Sequence, residues 1–148
     1  MFVHGLGGDA YGTWRYDKTD GAFWPRGLAE EIPGLGVYSL QYAASASRLR
    51  GTVMHLQDRS INVFERLILG PGLKTGPIAF ACYSLGGLVA KQLLRHAHDK
   101  SQSRDEVLQF LDRVTKVVFL ATPHMGSGIA SLTDRSACPE SMVSGLVS

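Results

Sequence analysis

Pro77-Ile78-Ala79-Phe80-Ala81-Cys82-Tyr83-Ser84-Leu85-Gly86-Gly87-Leu88-Val89-Ala90 is the stretch on which the fold turns. Its first six residues show no polar alternation, as expected of a strand buried on both faces of a parallel sheet. From Gly86 to about Ala97, Val89, Leu93 and Ala97 share one side with Ala90 and Leu94 beside them, which is helical spacing. The strand therefore enters the helix through a single tight turn, and Ser84 stands at its centre. Cys82 and Gly86 flank that serine at two residues on either side.

Working outward, the same change of period recurs along the chain. Phe2-Val3 is a strand tail broken by Gly5, Gly7 and Gly8. A helix opens at Trp24-Pro25, where proline in the first turn forfeits no hydrogen bond, and runs to about Glu31. Pro33-Gly34 stops it, and Val37 to Leu40 reads as the second strand. Residues 52 to 69 carry a helical face of Val53, Leu56, Phe64, Leu67 and Ile68, interrupted by Ser60 and closed by Gly70-Pro71. Ser103-Arg104-Asp105-Glu106 has capping-box spacing ahead of Val107, Leu108, Phe110 and Leu111. Lys116 to Ala121 is a further apolar strand. Strands alternating with helices predict an α/β fold, a parallel sheet with right-handed crossovers and flanking helices. Ligands bind such sheets at the carboxyl ends of the strands, so the residues just after each strand matter most.

Composition narrows the class. At 148 residues one domain, 1–148, is expected. Hydrophobic residues make up 45% and charged ones 19%, a globular balance that excludes disorder. A net charge of +2 is too small and scattered for a nucleic-acid footprint. No run approaches the roughly 20 apolar residues of a membrane span. Two cysteines, Cys82 and Cys138, make no disulfide framework. With no signal-peptide pattern at the start, a cytoplasmic setting is expected. Met1 leads straight into a strand, and Ser127 to Ser148 is rich in Ser, Gly and Thr, so the sheet is expected to be truncated at both ends.

The turn at Ser84 has the strand-turn-helix context of the nucleophile elbow, G-x-S-x-G, with Cys82 in the first glycine position. The chemistry needs a serine hydroxyl lifted above the sheet and small neighbours where strand and helix approach. A bare helix N-cap is the alternative for Ser84. His4-Gly5-Leu6-Gly7-Gly8, after the first strand, offers the second half of an oxyanion site: Leu85 N–H from the helix end and Leu6 N–H from the loop. His4 and Tyr83 are candidates to line the substrate. Thr122-Pro123-His124 follows the last strand. His124 is tempting as general base, but a triad base comes later, in the order Ser, acid, His, so it reads as a loop or cleft-lining residue. His55 lies on a polar-flanked helix, and His96 and His98 project about 200° apart, a poor metal pair. Asp134 reads as a solvated loop acid. Neither metal nor organic cofactor is implied.

Phe2 to Gly8, Thr13-Trp14, Trp24-Pro25 with Leu28, Tyr38 to Tyr42, Ser84 to Lys91 and Thr122 to Ser127 together resemble the serine-active-site-containing lipase-like proteins of the α/β-hydrolase superfamily. The resemblance implies a serine esterase or lipase acting on a small-molecule or lipid ester, with Ser84 as nucleophile and Leu6 and Leu85 at the oxyanion. Two departures stand out: Cys82 replaces the usual glycine, and the family's acid and histidine lie beyond the strand at 116–121. An alternative is a catalytically incomplete hydrolase-fold segment that binds a ligand or partner. A sheet ending at that strand would leave an apolar edge open to self-association.

Overall fold

The computed structural model of the chain describes residues 1–17, 19–44, 56–70 and 73–124. Val53, His55, Met125 to Ser127, Asp134 and Cys138 lie outside the described residues. Strand β1 (Phe2–Val3) is followed by two 3-10 turns, helix α1 (Trp24–Glu31) and strand β2 (Ser39–Leu40). Helix α2 (Leu56–Leu69), strand β3 (Ile78–Tyr83), helix α3 (Leu85–Ser101), helix α4 (Asp105–Arg113) and strand β4 (Val114–Leu120) complete it. All pairings are parallel and the strand order is β2-β1-β3-β4. The expected α/β architecture is present, and α1 has the expected limits with Pro25 in its first turn.

Four expectations need correction. The strands are not buried on both faces. Ile78, Phe80 and Cys82 of β3 are buried, whereas Ala79 and Tyr83 are exposed. The reason is that α2, α3 and α4 pack on one face: Val63 and Phe64, Val89 and Leu93, Val107 and Phe110 form one core with those strand residues. On the other face, Trp14 and Trp24 cover Phe2 at β1, while Val118 and Leu120 on the outermost strand, β4, stay exposed. Second, Ser60 does not interrupt the α2 stripe. It is buried, as is Val63, which the sequence reading passed over. Third, there is no capping box at α4. Arg104 is the N-cap without a side-chain cap bond, and the Ser103 hydroxyl donates back to the Lys100 carbonyl. Arg104 instead bridges Glu65 of α2 at 2.9 Å and Glu106 of α4, tying the two helices. Last, β2 is only two residues long, Ser39–Leu40, although the Tyr38 carbonyl just before it accepts from the Phe2 N–H at 2.7 Å.

Candidate active site

The turn between β3 and α3 forms where the sequence placed it. Ser84 has φ 50° and ψ −123°, a conformation a non-glycine residue holds only when its surroundings impose it. The Ser84 N–H donates to the Leu120 carbonyl of β4 at 2.8 Å, and its own carbonyl accepts from the Gly87 N–H at 3.1 Å. Its hydroxyl makes no cap bond to α3, so the N-cap alternative loses its defining interaction. Backbone strain without a capping role leaves the side chain free at the end of the sheet.

Glycines explain how the turn closes. A Cβ at Gly86 would run into the carbonyls of Val3, the last residue of β1, and His4 just after it, and one at Gly87 into the Thr122 side chain after β4 and the Phe119 ring on β4. A Cβ at Gly5 would stand 2.9 Å from the Ser84 Cβ and 3.1 Å from the Tyr83 carbonyl. The first turn of α3 is thus wedged between the ends of β1 and β4, and the loop after β1 lies against Ser84. Cys82 takes no part in this approach. Its side chain is wholly buried in the core below the turn, and burial pushes its thiol up to about 12, a group with no nucleophilic character near neutrality.

The loop from His4 to Gly8 is held from three sides. The Gly7 N–H donates to Ala44 at 2.7 Å, and the Gly8 N–H to Gly5 at 3.2 Å. The Tyr42 hydroxyl donates to the His4 carbonyl. Among the described residues the N–H groups of Leu6 and Leu85 are donated to no backbone acceptor. Beyond the loop, the Asp9 carboxylate accepts from the Tyr11 and Gly12 N–H groups at 2.8 and 2.7 Å. Those two bonds, the Gly12 one foremost, hold its pKa below the ordinary carboxylate value.

The other sequence candidates divide. Tyr83, the last residue of β3, is 44% exposed beside Ser84 and packs edge-on to Trp14, ring centroids 6.5 Å apart. His4 is 0% exposed, so its ring lies beneath the loop and not on an open surface. His124 is drawn to α3: Lys91 Nζ lies 2.6 Å from its Nδ1, and its ring meets Phe119 edge-on at 4.9 Å. His96 packs against Phe64, and His98 lies beside Asp99 at 3.9 Å. Among the described residues no imidazole is hydrogen-bonded to the Ser84 hydroxyl, and no cluster of His, Cys, Asp or Glu is arranged to hold a metal ion. Nor is any of their helices long and apolar enough to cross a membrane. Sequence reasoning missed the clamp from Tyr42 and Ala44 on the loop, and the Lys91–His124 contact. These join residues 33 to 38 positions apart, and only the folded sheet brings them together.

Relatives of this chain include the proteins named Protein SERAC1 from Homo sapiens and Bos taurus, each 28% identical over 149 residues. That of Danio rerio is 28% identical over 151 residues. Each alignment covers 88% of this chain and 22% of the relative, so the chain spans about a fifth of the length of these proteins. No solved structure matches it. The family resemblance read from the sequence holds at the level of a serine esterase family. A match running over residues 1–135 shows that the chain belongs to the family described as "Putative serine esterase (DUF676)".

Proposed function

We propose that this chain carries the nucleophile and oxyanion site of a serine hydrolase acting on carboxylic esters. The strained Ser84, lifted between β3 and α3 with its hydroxyl uncapped and glycines closing around it, is the observation that carries the reading. In this mechanism Ser84 Oγ attacks the ester carbonyl carbon as its proton passes to a base. The carbonyl oxygen takes the charge and is held by the Leu85 N–H, at the positive end of α3, and the Leu6 N–H of the loop. The bond to the alcohol then breaks, the alcohol leaves with a proton, and water releases the acid from the acyl-enzyme. No organic cofactor enters these steps. Tyr83, half-exposed and backed by Trp14, favours an acyl group that is apolar, lipid acyl chains included. Cys82, a free thiol, suits a reducing compartment such as the cytoplasm.

One observation favours the second reading, a hydrolase-fold segment without its own base. His4 is buried, His124 is engaged by Lys91, and His96 and His98 sit on Phe64 and beside Asp99, so none of the described histidines stands ready to take the Ser84 proton. A triad lacking a member retains only about 10³–10⁴ over water. Slow, stoichiometric labelling by a fluorophosphonate is therefore expected for the wild type and none for Ser84→Ala, with nitrophenyl ester turnover near background. Labelling that persists in Ser84→Ala would overturn the nucleophile. Brisk turnover abolished by Ser84→Ala would discard the second reading.

A further inference from the structure

A peptide unit is planar and trans, so its N–H points away from its C=O. Whatever holds the Gly5 carbonyl therefore also aims the Leu6 N–H. Two donors meet that carbonyl: the Gly8 N–H at 3.2 Å and the His4 ring through Nδ1 at 3.0 Å. A carbonyl oxygen only accepts, so the proton must sit on Nδ1. The other tautomer would set two lone pairs face to face.

The ring has no freedom to turn elsewhere. It is fully buried and stacked on Tyr42, with centroids 4.3 Å apart and planes 17° apart. The Tyr42 hydroxyl locks the His4 carbonyl at the same time. Nε2 is buried with no partner among the described residues. A phenyl ring would fill this space without orphaning a polar atom. What an imidazole adds is the Nδ1–H, and that proton goes to the one carbonyl whose peptide bears the Leu6 N–H. Burial also lowers the His4 pKa, outweighing the Gly5 and Tyr42 backbone groups and the Asp9 carboxylate that favour the charged ring, so the balance lies toward a neutral imidazole.

We propose that His4 is a positioning residue: its Nδ1–H, on the Gly5 carbonyl, fixes the Gly5–Leu6 peptide so that the Leu6 N–H serves the oxyanion beside Ser84. The inference rests on the acyl-transfer reading above, and it assigns His4 to the loop's support in place of its surface.

The test uses the whole chain and three substitutions. His4→Asn carries an amide nitrogen at the Nδ1 position, His4→Gln carries it one bond farther on, and His4→Phe keeps the stack on Tyr42 with no donor. Nitrogen-15 NMR of the wild-type imidazole is expected to show Nδ1 protonated and Nε2 bare at pH 7. Fluorophosphonate labelling of Ser84 is expected to stay within about threefold of wild type in His4→Asn. It should slow by about tenfold or more in His4→Phe and His4→Gln, a share of the 10²–10³ that a whole oxyanion donor carries. An Nε2–H or doubly protonated ring would overturn the proposal, as would His4→Phe labelling at the wild-type rate. Equal slowing in His4→Asn and His4→Phe would overturn it too, by showing that packing and not the donor matters. If His4→Phe fails to fold, the Asn and Gln pair and the tautomer still decide. A wild type that takes no label at Ser84 would sink the acyl-transfer reading and this inference together, whereas labelling indifferent to the donor sinks this one alone.

Discussion

Ser84 and Ala121 stand at the carboxyl ends of neighbouring strands, and they are the two non-glycine residues with positive φ among the described residues, at 50° and 51°. They meet across the ladder, where the Ser84 N–H donates to the carbonyl of Leu120. After Ser84 the chain enters α3 through two glycines. After Ala121 it passes Thr122, whose buried hydroxyl has no partner, and reaches His124 on Lys91. A non-glycine residue at positive φ costs about 1–3 kcal/mol, and both exits hold one, so strain alone does not distinguish a site. The side chain being lifted does: a hydroxyl at one exit, a methyl at the other. Strand ends pack closely against the first turn of α3 at both bends, and under the proposed function only the hydroxyl offers a nucleophile.

The largest effect should come from the wall on the β1 side. A methyl at Gly86 would meet the carbonyls of Val3, in a strand paired on both sides, and of His4, which the Tyr42 hydroxyl holds. Gly86→Ala is expected to cost about 3 kcal/mol or more in urea unfolding, because backbone cannot give way as a side chain can. A loss below about 1 kcal/mol would mean that the helix is not wedged there.

On the β4 side the obstacle is a side chain, so the same change should be milder and curable. Gly87→Ala would press on the Thr122 side chain and on the Phe119 ring, and is expected to cost about 1–3 kcal/mol. Adding Thr122→Ala should restore the Thr122 share of that and leave the Phe119 share, a coupling a double-mutant cycle would expose. Additive losses would show that the two exits do not share this contact.

These contrasts also mark what could be read from the sequence. The elbow was legible because a strand, a small-residue turn and a helix occupy consecutive residues, each with its own local signal. The glycine loop was legible for the same reason. Two-sided burial of β3 and β4 was misread, since an apolar run reports what a strand tolerates and not which faces are covered. Ala79 and Val118 are as apolar as buried neighbours would be, yet α2, α3 and α4 all lie on the opposite face. The capping box failed because Arg104 found carboxylates on two helices, and one of them, Glu65, lies 39 residues away. His4 was legible as part of a motif but not as a buried support, because its partner Tyr42 arrives from the far side of β2.

The third test asks whether the thiol two residues before Ser84 belongs to the core or to the site. Cys82 ionises near 9 in an unfolded chain and only at about 12 when buried. The unfolded state therefore loses its proton first, so stability is full below about pH 9 and falls as pH rises toward 12. Between pH 8 and 10.5 the unfolding free energy from urea titration should fall by an amount on the order of 1–2 kcal/mol. Cys82→Ala should flatten part of that slope, leaving the share of Tyr42, whose hydroxyl burial also raises. An unchanged slope in Cys82→Ala would place the thiol in contact with solvent, on the site's side of the turn.

The smallest effect is expected at His124, and it bears most directly on the comparison. If the exit of β4 only buttresses α3, His124→Ala forfeits an exposed contact with Lys91 and an edge-on contact with Phe119. Such surface contacts are worth less than about 1 kcal/mol. Labelling of Ser84 should then stay within about twofold of wild type, because an imidazole occupied by Lys91 is not taking the serine proton. Lys91→Ala makes the check sharper by freeing the ring: labelling unchanged in both variants leaves His124 as a buttress. Loss of labelling in His124→Ala, with faster labelling in Lys91→Ala, would mean that Lys91 restrains a base. The two strained exits would then be two halves of one catalytic pair, and the contrast between them would collapse.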